Sequence, residues 1–517
     1  MRRSFLAAIL FLVLILVSAS RVSGAEAIAA AASAAPVPEI RFEPYAVVSR
    51  SGPPVVRGEL GRFAVPENRA SAASRSIELA FVRLRSMSKH PEAPVVWLAG
   101  GPGRSGIEDL DTPLLLLLLE LRKQSDVLVL DQRGTGLSKP RLDCPGAIAF
   151  RKDIPLDRGI VVGALEDASR RCSELWRGRG VDLAGYNTRE SAEDVEDLRR
   201  AVGAPKLKIL AGSYGTHLAL ALLRAHGDRI ERAALVGVVG PDQLRRVPSD
   251  TDEQLGAIAA LVRTDRALSK RMPDFLATVR QVRDRLAERP AVVRVSGDEG
   301  SDSVTVGRFD LAWFTRSLLS SRGSIARLPA LFADMLEGDF SELGATSLAW
   351  RMSPLPSASM FLMRCASGAT AARLARIEAE LGSAILGDAA DLAEDRVCGA
   401  WGVPRLSDEF RQPVSSPVPT LFVTGSLDGD TPDRNIGEIL AGFPRAARLK
   451  IEGAAHSLLG LEGENERDAI AGFLSGGGAK NAVVRLPAIP FASPGNRGTL
   501  LADRRPASSG FFGGGMP

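Results

Sequence analysis

Histidine and cysteine are both scarce in this chain: its 517 residues include four of each. With no CxxC pair and no His-rich tract, the usual ligand spacings of a zinc site are missing, and no cofactor is expected. Neither a G-x-G-x-x-G spacing nor a Walker lysine accompanies the glycine clusters, which argues against a cradle for a dinucleotide or a nucleoside triphosphate. No internal repeat is visible, which removes solenoids and propellers. No apolar run reaches the roughly 20 residues of a membrane-spanning helix. Charge of one sign is not in large excess either, since 65 basic residues against 61 acidic ones leave a formal +4.

What is present begins with an export signal. Arg2 and Arg3 precede an apolar stretch at residues 5–17, and small residues follow around Val22-Ser23-Gly24-Ala25. This is the pattern of a cleaved secretory signal over residues 1–25. A membrane anchor is the alternative, for which the stretch is short. Cleavage would remove Arg2, Arg3 and Arg21 and lower the formal charge from +4 to about +1. The basic pI, near 9.0, is therefore weak ground for a nucleic-acid partner, and no stable membrane insertion is expected after cleavage. A secreted or periplasmic location favours disulfides. Cys144, Cys172, Cys365 and Cys398 allow three pairings, and nearness in sequence suggests Cys144 with Cys172 and Cys365 with Cys398.

The length exceeds one average domain, which suggests a large core with an addition. Residues 55–65 and 76–85 read as strands, and residues 93–99 form a buried strand that stops at Gly100-Gly101-Pro102-Gly103. Glycines at a strand end leave N–H groups unobstructed, as an oxyanion hole needs; an ordinary turn is the other reading. A leucine run at 114–119 reads as a buried helix face, and residues 126–130 as a strand leading into Asp131-Gln132-Arg133-Gly134-Thr135-Gly136. Ser191 with Asp194 resembles a capping pair for a helix ending near Ala201. Strands follow at 206–210 and 235–239. This alternation predicts an α/β fold with a mostly parallel sheet and helices on both faces. Residues 251–289 are periodic at helical spacing, 292–295 and 303–306 read as a hairpin, and further helical segments run to about 381. Strand patterns return at 419–425 and 448–451, with a closing helix at 466–474. The expected organisation is a leader at 26–54, an α/β core at 55–240 and 416–478, a mainly helical cap inserted at 241–415, and a low-complexity, poorly ordered tail at 479–517.

The strand at 206–210 leads into Ala211-Gly212-Ser213-Tyr214-Gly215 and then a helix. A serine between strand and helix, flanked by very small residues, reads as a nucleophile elbow, with Ala211 standing where the usual pattern has glycine. A serine hydroxyl needs a base, and the base needs an orienting carboxylate. Of the histidines, His90, His217 and His226 have structural readings, whereas His456 falls in a loop beyond the strand at 448–451, at the carboxyl end where α/β sheets place their ligands. The carboxylate is offered by Asp428 or Asp430, with Asp428 nearer the strand end and Asp433 more distant. Ser213, Asp428 and His456 then follow the chain order Ser, Asp, His.

Together the Gly100-Gly101-Pro102-Gly103 loop, the Asp131 to Gly136 turn, the elbow, and the Asp428 and His456 loops resemble the prolyl iminopeptidase and secreted tripeptidyl aminopeptidase (TAP-like) group of α/β-hydrolases, over residues 55–475. That resemblance implies an α/β-hydrolase fold and a serine aminopeptidase. By that resemblance Ser213 would attack the scissile carbonyl, His456 would move the proton, Asp428 would orient the imidazole, and the N–H groups of Gly101 and Tyr214 would hold the oxyanion. It also implies a cap that admits a peptide amino terminus, and disulfides near the core and in the cap. Relatives commonly carry acidic cap residues for the substrate ammonium, one of them just after the first cap cysteine. Here the run is Cys365-Ala366-Ser367-Gly368, which leaves Glu378, Glu380 or Asp388 for that task. The alternative reading is an esterase or amidase for small uncharged substrates, and a catalytically silent binding protein is a third. The partner is a peptide or a small ester or amide, and oligomeric state is not readable.

Overall fold

In the computed structural model, residues 37–49, 55–146, 148, 150–297, 300–389, 391, 392, 395–457, 463–478 and 480–493 are described. The expected signal peptide, most of the leader and the end of the tail lie outside them. Strands run in chain order as β1 (Arg41–Val48), β2 (Val55–Pro66), β3 (Ser76–Leu84), β4 (Glu92–Leu98), β5 (Ser125–Asp131), β6 (Leu207–Gly212), β7 (Ile230–Val236), β8 (Ala291–Gly297), β9 (Gly300–Val306), β10 (Thr420–Gly425), β11 (Ala446–Glu452) and β12 (Ala482–Arg485). All but the β8–β9 hairpin join one sheet in the order β1-β2-β3-β5-β4-β6-β7-β10-β11-β12. The first three pairings are antiparallel. From β5 to β12 every pairing is parallel.

Helices α1 (Leu114–Leu121), α2 (Arg158–Gly178), α3 (Thr188–Ala201) and α4 (Tyr214–His226) precede β7 or link the strands before it. Between β7 and β10 come α5 (Pro248–Thr264), α6 (Leu268–Arg271), α7 (Phe275–Glu288), α8 (Arg308–Leu318), α9 (Arg322–Leu336), α10 (Ser341–Arg351), α11 (Ala358–Ser367), α12 (Ala371–Leu381) and α13 (Asp395–Trp401), and α14 (Glu464–Leu474) follows β11. Because side chains alternate along a strand, β4 sends Val95 and Trp97 to the face covered by α1 and α14. Val96 and Leu98 go to the opposite face, with α3 and α4. The central strands are buried on both faces, which is why they read as continuous apolar runs rather than alternating ones.

Several expectations need correction. The leader at 26–54 contains β1, paired antiparallel with β2; Pro44 interrupts its sequence pattern, and an edge strand tolerates a proline. The tail at 479–517 contains β12, paired with β11, its four residues too few to show a period. The helix thought to be capped by Ser191 and Asp194 begins earlier, where the Asn187 side chain accepts from Glu190 N. Asp194 is occupied elsewhere, bonding the guanidiniums of Arg133 and Arg69. The strand expected at 235–239 ends at Val236. Helix α2 falls in the stretch assigned to the core, yet it buries its apolar side in the same cluster as the helices between β7 and β10.

The central order sets up the site. β4 and β6 are neighbours, whereas β5 lies on the far side of β4. The chain thus reverses its direction of strand addition between β4 and β6, and ligands of open α/β sheets bind beyond the carboxyl ends of strands at such a point.

Candidate active site

β6 is buried along its whole length and delivers Ser213 at its end. Ser213 has φ 51° and ψ −124°, and is the one non-glycine residue with positive φ among the described residues. Holding an L-residue there costs about 1–3 kcal/mol, so the surroundings must enforce it. Ser213 N donates to Val236 O at 2.9 Å, and Ser213 O accepts from Thr216 N at 2.8 Å and Thr216 Oγ1 at 2.7 Å. A Cβ at Gly215 would stand 2.0 Å from Leu98 O, so only glycine lets α4 lie this close to β4. Ala211 pairs with Leu98 and Leu235 inside the sheet, and its methyl group is fully buried.

β10 and β11 carry the partners. His456, in the loop after β11, places Nε2 3.0 Å from Ser213 Oγ. Its Nδ1 lies 2.9 Å from Asp428 Oδ2 and 3.1 Å from Oδ1, in the loop after β10. Asp428 Oδ1 also accepts from the N–H groups of Asp430 and Thr431, and Oδ2 from the Thr431 hydroxyl. A carboxylate so supplied with donors is fixed in place, and it leaves Nδ1 as the protonated ring nitrogen and Nε2 as the acceptor facing Ser213. Of the three candidate aspartates only Asp428 bonds His456. Asp430 pairs with Arg246 at 2.8 Å and Arg316 at 3.0 Å, and Asp433 bonds Thr424 and Arg448.

Burial of His456 works against its charged form, but the charge and hydrogen bond of Asp428, with the charge of Asp430, outweigh both that and the opposing Arg246, and its pKa is raised. A base that must be neutral to accept the serine proton then works only above its ordinary range. The acid limb of kcat/KM is therefore expected to have its midpoint above about 6.5. Asp430→Asn should move that limb toward lower pH; a pH profile in which it moves upward would contradict the electrostatics.

Gly101 has φ 109° and lies in the loop after β4; Tyr214 is the first residue of α4, where N–H groups lack an intrahelical acceptor. Both N–H groups thus belong to backbone at the edges of the Ser213 site. The Asp131 to Gly136 turn stays out of the triad and braces that loop. Asp131 accepts from Ser105, Ile107 N and Leu137 N, Gln132 donates to Ala99 O, and the buried Arg133 bonds Asp194, Glu67 O and Gly185 O.

The remaining histidines have other duties. His226 pairs with Glu193, and His90 is exposed. His217 is buried, which lowers its pKa to about 4. Its Nδ1 donates to Gly240 O at 3.0 Å, so Nε2 accepts from Ser367 Oγ at 3.2 Å. Ser367 in turn meets Thr188, and Thr188 meets the Tyr214 hydroxyl at 2.9 Å. One directed relay therefore joins α4, α3 and α11.

Disulfides link Cys144 to Cys172 and Cys365 to Cys398, the second tying α11 to α13. Glu378 is exposed on α12, while Glu380 accepts from Ser249 N and Arg376; the side chain of Asp388 lies outside the described residues. Sequence reasoning missed a buried cluster of Arg245, Arg246, Arg316 and Arg364 with Asp391 and Asp430. Its one local signal was the Arg245-Arg246 pair after β7. Among the described residues no group of three or more His, Cys, Asp or Glu is placed to hold a metal ion, and no helix is long and apolar enough to cross a membrane.

Comparison with known proteins gives two family matches: the alpha/beta hydrolase fold at residues 93–294 and TAP-like protein at residues 386–484. Serine protease Hip1 of Mycobacterium tuberculosis is 28% identical over 192 residues, covering 35% of this chain and 36% of that protein. Tripeptidyl aminopeptidase of Streptomyces lividans is 27% identical over 194 residues, 36% of each. The matched stretches thus span about a third of these relatives' length. Among solved structures, proline iminopeptidase of Mycobacterium smegmatis aligns over 80% of this chain and 97% of its own, at 14% identity and a TM-score of 0.36.

Proposed function

Since the chain is an α/β-hydrolase of the TAP-like family, we propose that it is an exported serine hydrolase which releases N-terminal residues from peptides through an acyl-enzyme. The observation that carries this reading is the unbroken line Ser213 Oγ, His456 Nε2, His456 Nδ1, Asp428 Oδ2, with steps of 3.0 and 2.9 Å, at the carboxyl ends of three parallel strands. His456 takes the Ser213 proton as Oγ attacks the acyl carbonyl, then returns it to the leaving amine. Asp428 holds the ring in the tautomer that makes this possible and stabilises the imidazolium. The N–H groups of Gly101 and Tyr214 receive the oxyanion. Water then repeats the attack with the same base. The two disulfides support an oxidising compartment, and the helical part of residues 241–415, up to α13, serves as the cap over the serine.

An esterase or amidase is the second reading. It is favoured by the position of the cap carboxylates, since Glu380 is engaged by Ser249 and Arg376 and Glu378 faces solvent. A panel of aminoacyl arylamides with free and N-acetylated amines, beside short acyl esters, separates the two. Preference for the free amine, by about tenfold or more, is expected of the aminopeptidase; indifference to acetylation, with faster ester turnover, would replace it by the esterase.

A further inference from the structure

Helix α11 roofs the glycine loop. A Cβ on Gly103 would fall 2.9 Å from Met360 N and 3.1 Å from Met360 Cβ, and Met363 packs with Tyr214, Val239 and Leu244. Arg364 stands one helical turn beyond Met360 and therefore on the same face of α11. Its guanidinium lies 3.5 Å from Asp391, and its Nε is buried with no hydrogen-bond partner.

The other carboxylate in reach is no more available. Asp391 is held by Arg245 at 2.5 Å, and Asp430 by Arg246 and Arg316. Four guanidiniums thus share two carboxylates, and the side chains of all four arginines are at most 18% exposed. Burial, with Arg245 and Arg246 alongside and Asp391 only partly offsetting them, lowers Arg364 to about 10. The cluster adjoins the reacting groups. Asp430 follows Asp428 by two residues, Ser320 accepts from Ser457 N next to His456, and Arg246 acts on His456 itself.

We propose that the space above Ser213 selects substrates bearing a carboxylate close to the scissile acyl bond, with Arg364 and Arg246 as the side chains that meet it. The proposal rests on Ser213 being the nucleophile but not on whether an amide or an ester is cut. A carboxylate matches the planar fork of a guanidinium, supplies an acceptor for a buried donor that lacks one, and offsets uncompensated positive charge where the dielectric is low. The carboxylate has two sources, an acidic side chain in a peptide or the free acid of a dicarboxylic half-ester.

The test compares substrates that differ only in that group: peptide arylamides with Glu against Gln, and aryl monosuccinates against aryl butanoates. In whichever series is turned over, the charged member should lead by about tenfold or more in kcat/KM, mainly through KM, and the lead should shrink with added salt. Arg364→Gln should bring the ratio toward one, and Arg364→Lys should keep part of it. To keep the test independent of whether a buried arginine variant folds, the wild-type protein is also titrated with succinate against butyrate, of which only the dianion should compete. Equal turnover of charged and neutral partners, or preference for the neutral one, overturns the proposal. A fluorophosphonate probe separates the levels: labelling of Ser213 without charge preference defeats this proposal alone, and absence of labelling defeats the serine-hydrolase reading together with it.

Discussion

Ser213→Ala is expected to lower kcat by about 10⁶-fold with the fold intact. The size follows from how the hydroxyl is used. A serine at a helix N-cap ordinarily spends its oxygen on the helix's free N–H groups, yet Ser213 makes no such capping bond. Its Oγ is directed to His456 Nε2 at 3.0 Å. Alanine therefore removes the nucleophile without uncapping α4, and the backbone strain at φ 51° is the same for both residues. Steady-state rates on an active ester, a fluorophosphonate labelling experiment and a thermal melt check this together. Undiminished turnover, or an equally strong label elsewhere in the chain, would remove Ser213 from the mechanism.

Asp428→Asn is expected to lower kcat by about 10⁴-fold, and the reason lies in the donors around that carboxylate. Oδ1 faces two backbone N–H groups that cannot turn away. The amide oxygen of asparagine must take that side, which places its NH₂ against His456 Nδ1. Two donors cannot share one bond, so the ring is driven to the tautomer with Nε2–H pointing at Ser213, and the base is lost. Rates for Asp428→Asn beside Asp430→Asn decide the matter. A loss confined to the Asp430 variant would mean that the imidazole is oriented by the other acid.

The parts legible in the sequence were those written in local pattern. β4, β6, β10 and β11 are short apolar runs ending in glycine or polar turns, and the chemistry follows each within a few residues, so Ser213 and His456 could be placed on strand ends without the fold. The edge strands β1 and β12 lack that contrast, because one contains Pro44 and the other has four residues. The start of α3 was misplaced although Asn187 followed three residues later by Glu190 is itself a capping signature; Asp194 resembled a cap because its real partner, Arg133, lies 61 residues away. Choosing among Asp428, Asp430 and Asp433 needed coordinates, since all three lie within one loop and only the direction of each carboxylate separates them. Only the adjacent Arg245-Arg246 pair hinted locally at the arginine cluster, whose ion pairs join residues as far apart as Arg246 and Asp430.

The parallel pairing of β7 with β10 bears on how the intervening polypeptide can be shortened. A parallel neighbour must be entered from the opposite end of the sheet, which requires a crossover of a dozen or more residues. The chain after α13 makes that descent: Arg224 on α4 grips the carbonyls of Glu409, Phe410 and Gln412, and Val414 and Val418 pack into the sheet's own apolar layer. The strip at 402–419 is thus a girder of the catalytic half rather than the hem of the cap. Trimming the chain to its smallest folded form must stop at α13, because a tight turn from Val236 to Thr420 would have to span the length of the sheet.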